Sequence, residues 1–205
     1  MQTDMTVGKP MKMLLNFTIP VFLGNVFQQL YSMADAVIVG KFVGTKGLAA
    51  VGATGTITFL IIGFLMGVTT GVTVLTSQKF GAGRMDEMRK TVGNAAILSA
   101  VIAVVMTAVS MLGMHRLLVF MHTPEDIFDG AYGYIMIICA GIFTQVLYNL
   151  VSSILRALGN SKTPLYFLIL AAGLNIVLDL VFIIFFHWGA PGAAWATVIS
   201  QGVSG

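Results

Sequence analysis

The chain has 205 residues, of which 57% are apolar and only 9% charged, against roughly 25% charged in an average soluble domain. With a mean hydropathy of +0.93, it excludes a soluble globular fold, which would leave large adhesive patches in water. The net charge of +3 comes from Lys and Arg scattered singly or in pairs between apolar runs, without the aromatic-interleaved basic stripe of a nucleic-acid binder.

A hydrocarbon layer about 30 Å thick takes roughly 20 residues of helix. Cutting the sequence at charges, Pro and Gly predicts six helices, at about 13–40, 47–79, 88–113, 127–157, 165–186 and 192–205. The expected class is therefore an all-α membrane protein, a six-helix bundle. Pro10, Pro124, Pro164 and Pro191 each fall just before an apolar run, where a missing N–H costs a helix nothing.

The first run is too long for a signal-peptide core and has no small-x-small cleavage site after it, so it reads as a retained span. Pro20 lies inside it; the lost backbone hydrogen bond should bend the helix there. Asn25, Gln28, Ser32 and Asp35 follow at spacings of three, four and three. They share one face, which should look into protein or water rather than lipid.

The second helix carries Gly63, Gly67 and Gly71, a ridge expected to serve close helix packing. Gly81-Ala82-Gly83 follows a helix and lacks the strand and Lys-Ser/Thr pair of a phosphate loop. His115, His122 and His187 fall in predicted loops without metal-ligand spacing.

In the fourth helix, Gln145, Asn149, Ser152 and Arg156 form a second polar stripe. The lone Cys139 reads as a packing residue. Gln28-Gln29-Leu30-Tyr31 in the first helix is echoed by Gln145-Val146-Leu147-Tyr148 in the fourth. Three helices of offset is what an inverted repeat requires, although four residues are few.

The fifth helix follows Thr163-Pro164 and contains Asn175 and, one turn later, Asp179. The sixth has about 14 residues with no basic anchor or polar loop behind them. A helix ending inside a bilayer leaves carbonyls unsatisfied, so the chain reads as cut short: a fragment, a truncated reading frame, or a half that needs a missing carboxy-terminal lobe or a second copy.

Basic residues set the orientation. With the N-terminus inside, Lys9, Lys12, Lys79, Arg84, Arg89, Lys90, Arg156 and Lys162 are cytoplasmic, and Lys41, Lys46 and Arg116 outside. Asp35 and Asp179 are the acids set deep in apolar spans, where insertion costs about 2.5–3.5 kcal/mol each. Counting along the helices at about 1.5 Å per residue, Asp35, Tyr134, Asp179 and Thr197 all fall roughly 9–11 Å below the outer rim. Two carboxylates at one level cannot both ionise cheaply; they would share a proton or recruit a cation, and oxygen ligands suit H⁺ or Na⁺.

Met11-Lys12-Met13-Leu14-Leu15-Asn16-Phe17-Thr18-Ile19-Pro20, Gln28-Gln29-Leu30-Tyr31, Ala34-Asp35, Gly47-Leu48-Ala49-Ala50-Val51-Gly52 and Leu155-Arg156-Ala157-Leu158-Gly159-Asn160-Ser161-Lys162-Thr163-Pro164 resemble the multidrug and toxic compound extrusion (MATE) transporters. The resemblance runs the length of the chain, 1–205, and implies the amino-terminal lobe of a twelve-helix transporter of the DinF-like bacterial branch. It implies a multi-pass protein of the bacterial inner membrane, exporting small organic cations in exchange for H⁺ or Na⁺, with no cofactor and no enzymatic reaction. It also implies that Asp35, Asn175, Asp179 and Thr197 form the cation or proton site, that Gln28 and Tyr134 line the cavity, and that Pro20 is where the first helix bends. Three alternatives stand beside it: a flippase for lipid-linked precursors on the same superfold, an intramembrane aspartyl protease, and an inert fragment or assembly module. The protease would need a Gly-x-Gly-Asp loop, which neither acid has.

Overall fold

The structure, a computed structural model, describes residues 10–205; Lys9 lies outside the described residues. Seven α-helices follow in order: α1 Pro10–Phe42, α2 Thr45–Gly81, α3 Met85–Phe120, α4 Glu125–Ala140, α5 Ile142–Ala157, α6 Lys162–Leu180 and α7 Gly189–Ser204. A π turn, Val181–Phe185, extends α6. Among the described residues there is no strand. The protein is an all-α, multi-pass membrane protein.

Among the described residues, four helices are long and apolar enough to cross a bilayer, and α4 with α5, bent by 48° at their junction, passes the same test when taken as one span. Their outer faces carry large apolar side chains in the open, among them Phe59, Leu112, Phe120 and Phe185. Only lipid tails satisfy such a surface.

α2 shows how the pattern builds the bundle. Its buried residues are Gly47, Ala50, Thr54, Ile57, Ile61, Leu65, Thr69, Val72 and Thr76, stepped by three or four so that one narrow stripe faces inward. α4, α5 and α3 pack against it. Gly63, Gly67 and Gly71 lie off the stripe, and a Cβ at any of them would meet nothing within 4 Å. The expectation that this ridge packs is corrected: within the chain it faces outward, because the apolar stripe already fixes which face α2 buries.

α7 closes the core with very small residues. Ala193, Ala194 and Ala196 are fully buried, which lets α4 and α6 approach closely. The predicted fourth helix is two rods because of this approach. Gly141 breaks it, and a Cβ there would collide with Val198 of α7. Thr107 of α3 donates a 3.3 Å hydrogen bond to the carbonyl of Cys139 beside the break. A glycine in an apolar run carries no local breaking signal strong enough to announce this.

α3 runs to Phe120 rather than to about 113, so His115 is not in a loop as expected. Its ring packs edge-on against Phe128 and Tyr132, at 5.4 and 5.8 Å between centroids. His122 and His187 do sit in turns, with φ of 54° and 55°. α6 begins at Lys162, and Asn160 closes its first turn: its Oδ1 accepts from the Thr163 N–H at 3.1 Å, and its Nδ2 donates to Thr163 Oγ1 at 2.8 Å. α1 is the outlier. It packs chiefly on α6, leaving Phe22, Leu30, Met33 and Val37 exposed. It runs unbroken through Pro20.

Candidate functional site between α1, α6 and α7

α1 supplies Tyr31 and Asp35, α6 supplies Asn175 and Asp179, and α7 supplies Thr197. The helices bring these five side chains together. Asp35 and Asp179 are near enough across the α1–α6 seam to interact electrostatically. Asn175 and Asp179 are fully buried, and being four apart they share the face of α6 that meets α7.

The Asn175 amide is best satisfied with its nitrogen donating to Asp179 Oδ2 at 3.2 Å and its oxygen accepting from the Thr197 N–H at 3.2 Å; the reverse setting would oppose two acceptors. Tyr31 Oη donates to Thr197 Oγ1 at 3.3 Å. Tyr134 of α4 is buried and lies within electrostatic reach of Asp35, Tyr31 and Asp179.

One oxygen of each acid, Asp35 Oδ1 and Asp179 Oδ1, is buried with no hydrogen-bond partner. Buried acceptors are seldom left so. Two unit charges about 4 Å apart repel by about 4 kcal/mol at an effective dielectric constant of about 20. A proton or a small cation between the acids removes both penalties. Among the described residues, no three His, Cys, Asp or Glu side chains converge as they would on a transition metal. The oxygen donors that are present suit H⁺ or a hard monovalent cation.

Asp35, Asn175, Asp179 and Thr197 thus sit together, while Tyr134, expected at the same depth, lies nearby on α4. Tyr31 belongs with them and was missed as a site residue. Its spacing, three after Gln28 and four before Asp35, places it on the same face and could have identified it. Pro20 and Gln28 lie elsewhere, on an open cleft of about 100 Å³ toward the end where α1 begins. Tyr134 is not on that cleft; it is buried in the main apolar core with Ile135 and Ile138.

α1 and α5 are not packed backbone to backbone, and the cleft lies between them, lined also by α2, α6 and α7. Gln28 and Tyr31 line it from α1, and Gln145 and Tyr148 from α5. The two halves of the four-residue echo therefore face each other across one cavity. Asn25, Asn149 and Arg156, from the two polar stripes, line it as well. The π turn begins two residues after Asp179, and such turns are frequent beside functional sites.

The MatE family profile matches residues 20–181. The chain is 33% identical to the probable multidrug resistance protein YpnP of Bacillus subtilis over 98% of its own length and 45% of that protein. It is 27% identical to the FAD transporter of Shewanella oneidensis, covering 92% of the chain and 42% of the transporter. Among solved structures, an outward-facing multidrug resistance MATE family transporter of the MOP superfamily superimposes with a TM-score of 0.91 at 30% identity, over 96% of this chain and 44% of that one. The chain spans under half the length of the relatives it matches.

Proposed function

The chain belongs to the MatE family, matching its amino-terminal lobe, and on that premise we propose that it works as half of a cation-coupled antiporter exporting amphipathic organic cations. Its partner is a carboxy-terminal lobe or a second copy, since alternating access needs two bundles moving about a common cavity. The observation that carries the reading is the Asp35–Asp179 pair, whose orphaned oxygens lie on the seam between α1 and α6.

In this reading H⁺ or Na⁺ reaches the pair from outside and relieves the repulsion between the carboxylates. Asn175 and Thr197 complete the site. Because Asp35 rides on α1, filling the site shifts that helix toward a form bent at Pro20. Drug affinity falls in the bent form, and the cation is released outward; a ligand moves such an equilibrium only through differential affinity for the two forms. In this reading the N-terminus faces the cytoplasm and the chain lies in the bacterial inner membrane, which the spread of basic residues supports: Lys79, Arg84, Arg89 and Lys90 cluster at the α2–α3 turn, against Lys41, Lys46 and Arg116 at the opposite end.

The test is efflux of a fluorescent organic cation from energised vesicles containing the chain with a second lobe. Asp35→Asn and Asp179→Asn should each cut ion-driven efflux at least tenfold, by about 1.4 kcal/mol of lost coupling or more. Unchanged efflux in both variants rules the assigned site out.

A further inference from the structure

The cleft between α1 and α5 has a chemistry that export of a cation does not call for. No Asp or Glu lines it; its one charged group is Arg156, half-buried near the last turn of α5. Among the described residues, no carboxylate lies within salt-bridge distance of that guanidinium, the ion pairs being Lys46–Asp126, Lys79–Glu87 and Arg84–Glu87. A half-buried arginine at the end of a span normally finds a counter-charge or reaches to the interface.

Arg156 sits at the carbonyl end of α5, which favours its charge, and hydrogen-bond donors gather beside it. The buried Ser161 lines the cleft beside it and immediately precedes α6. The N-terminus of that 19-residue helix contributes roughly half a positive charge. Asn25 from α1 and Asn149 from α5 present amides from the two facing walls. Asn149 Nδ2 is held by the Gln145 carbonyl at 2.8 Å, which leaves its remaining N–H and its oxygen for a ligand. Leu165, Leu168 and Met66 add apolar side chains to the wall, alongside the polar Gln28, Gln145 and Gln201.

We propose that this end of the cleft binds the oxyanion, phosphate or carboxylate, of an amphiphile, with Arg156 as its counter-charge and the apolar side chains of the wall taking its tail. A planar guanidinium fork suits a two-oxygen contact. Gln145 to Arg156 is eleven residues of helix, so the oxyanion end lies about 16 Å from the inner end of the cleft. The proposal goes beyond cation export and does not depend on it: ligands with an anionic end, zwitterions included, gain a defined place in the lobe.

The test is equilibrium binding of decyl phosphate, decyltrimethylammonium and inorganic phosphate to the chain in nanodiscs of zwitterionic lipid. Arg156→Gln should weaken decyl phosphate at least tenfold and leave decyltrimethylammonium within twofold, and Arg156→Lys should restore part of the loss. Parallel loss of both alkyl probes, or no loss of either, overturns the proposal. A second measurement needs no variant: decyl phosphate should slow phenylglyoxal modification of Arg156, read by peptide mass, at least fivefold, while decyltrimethylammonium does not. Unslowed modification overturns it equally. Protection by inorganic phosphate marks a site for a free oxyanion; protection by decyl phosphate alone marks one for a lipid-like head group.

Discussion

Two regions of this lobe are built in opposite ways. Around α7 the helices meet through Ala193, Ala194 and Ala196, all fully buried, and through Gly133 of α4, where a Cβ would press on Pro191, while Trp195, Ile199 and Val203 face outward. Along α1 the contact is chiefly a seam with α6, with slighter contacts to α2 and α7, and most large side chains stand in the open. Packing of the first kind has one arrangement, because any added atom collides. A seam of the second kind has little to lose by shifting. The acid pair spans the division, with Asp35 on the loosely held helix and Asp179 on a helix packed into the rigid frame. A charge change there is therefore placed to move one against the other.

The sharpest way to break this comparison is to overfill the frame. Ala194→Leu should destabilise the chain by about 3 kcal/mol, seen as a large fall in the thermal unfolding midpoint in detergent, whereas Phe22→Ala on α1 should change stability by less than about 0.5 kcal/mol. Similar effects from the two would mean that the regions are not differently packed. A smaller effect sharpens the seam itself. Tyr31→Phe removes the hydrogen bond to Thr197, worth about 1 kcal/mol, and should raise amide exchange of α1 around residues 28–35 about fivefold while α4 and α7 stay unchanged. The smallest concerns the outward ridge. Gly67→Ala, with open space around it, should leave the chain as stable or up to about 1 kcal/mol more so; a marked loss would show the ridge to be packed within the lobe after all.

Much of the architecture was legible because hydrocarbon imposes simple rules. Apolar runs of about 20 residues, with prolines at their starts, located the spans, since no other backbone arrangement is stable in lipid. Asp35 and Asp179 stood out because buried charge is expensive, and matching depths suggested that they meet. Breaks inside helices were not legible. Gly141 in α4–α5 resembles the harmless Gly67 of α2 when read along the chain; only the presence of Val198 against one and of nothing against the other separates them. The extension of α3 past His115 was missed for a similar reason: a histidine ends an apolar run but not a helix.

From its order of residues alone, this protein was committed to the membrane, to helices and to a pair of acids at one level, because solvation and periodicity act locally. Tertiary structure decided which glycines are contacts, that Tyr31 joins the acids, and that the two echoed segments face each other across a cleft holding Arg156. Those are matters of which helix stands next to which, and proximity between distant segments is set by packing, to which each segment contributes only one side.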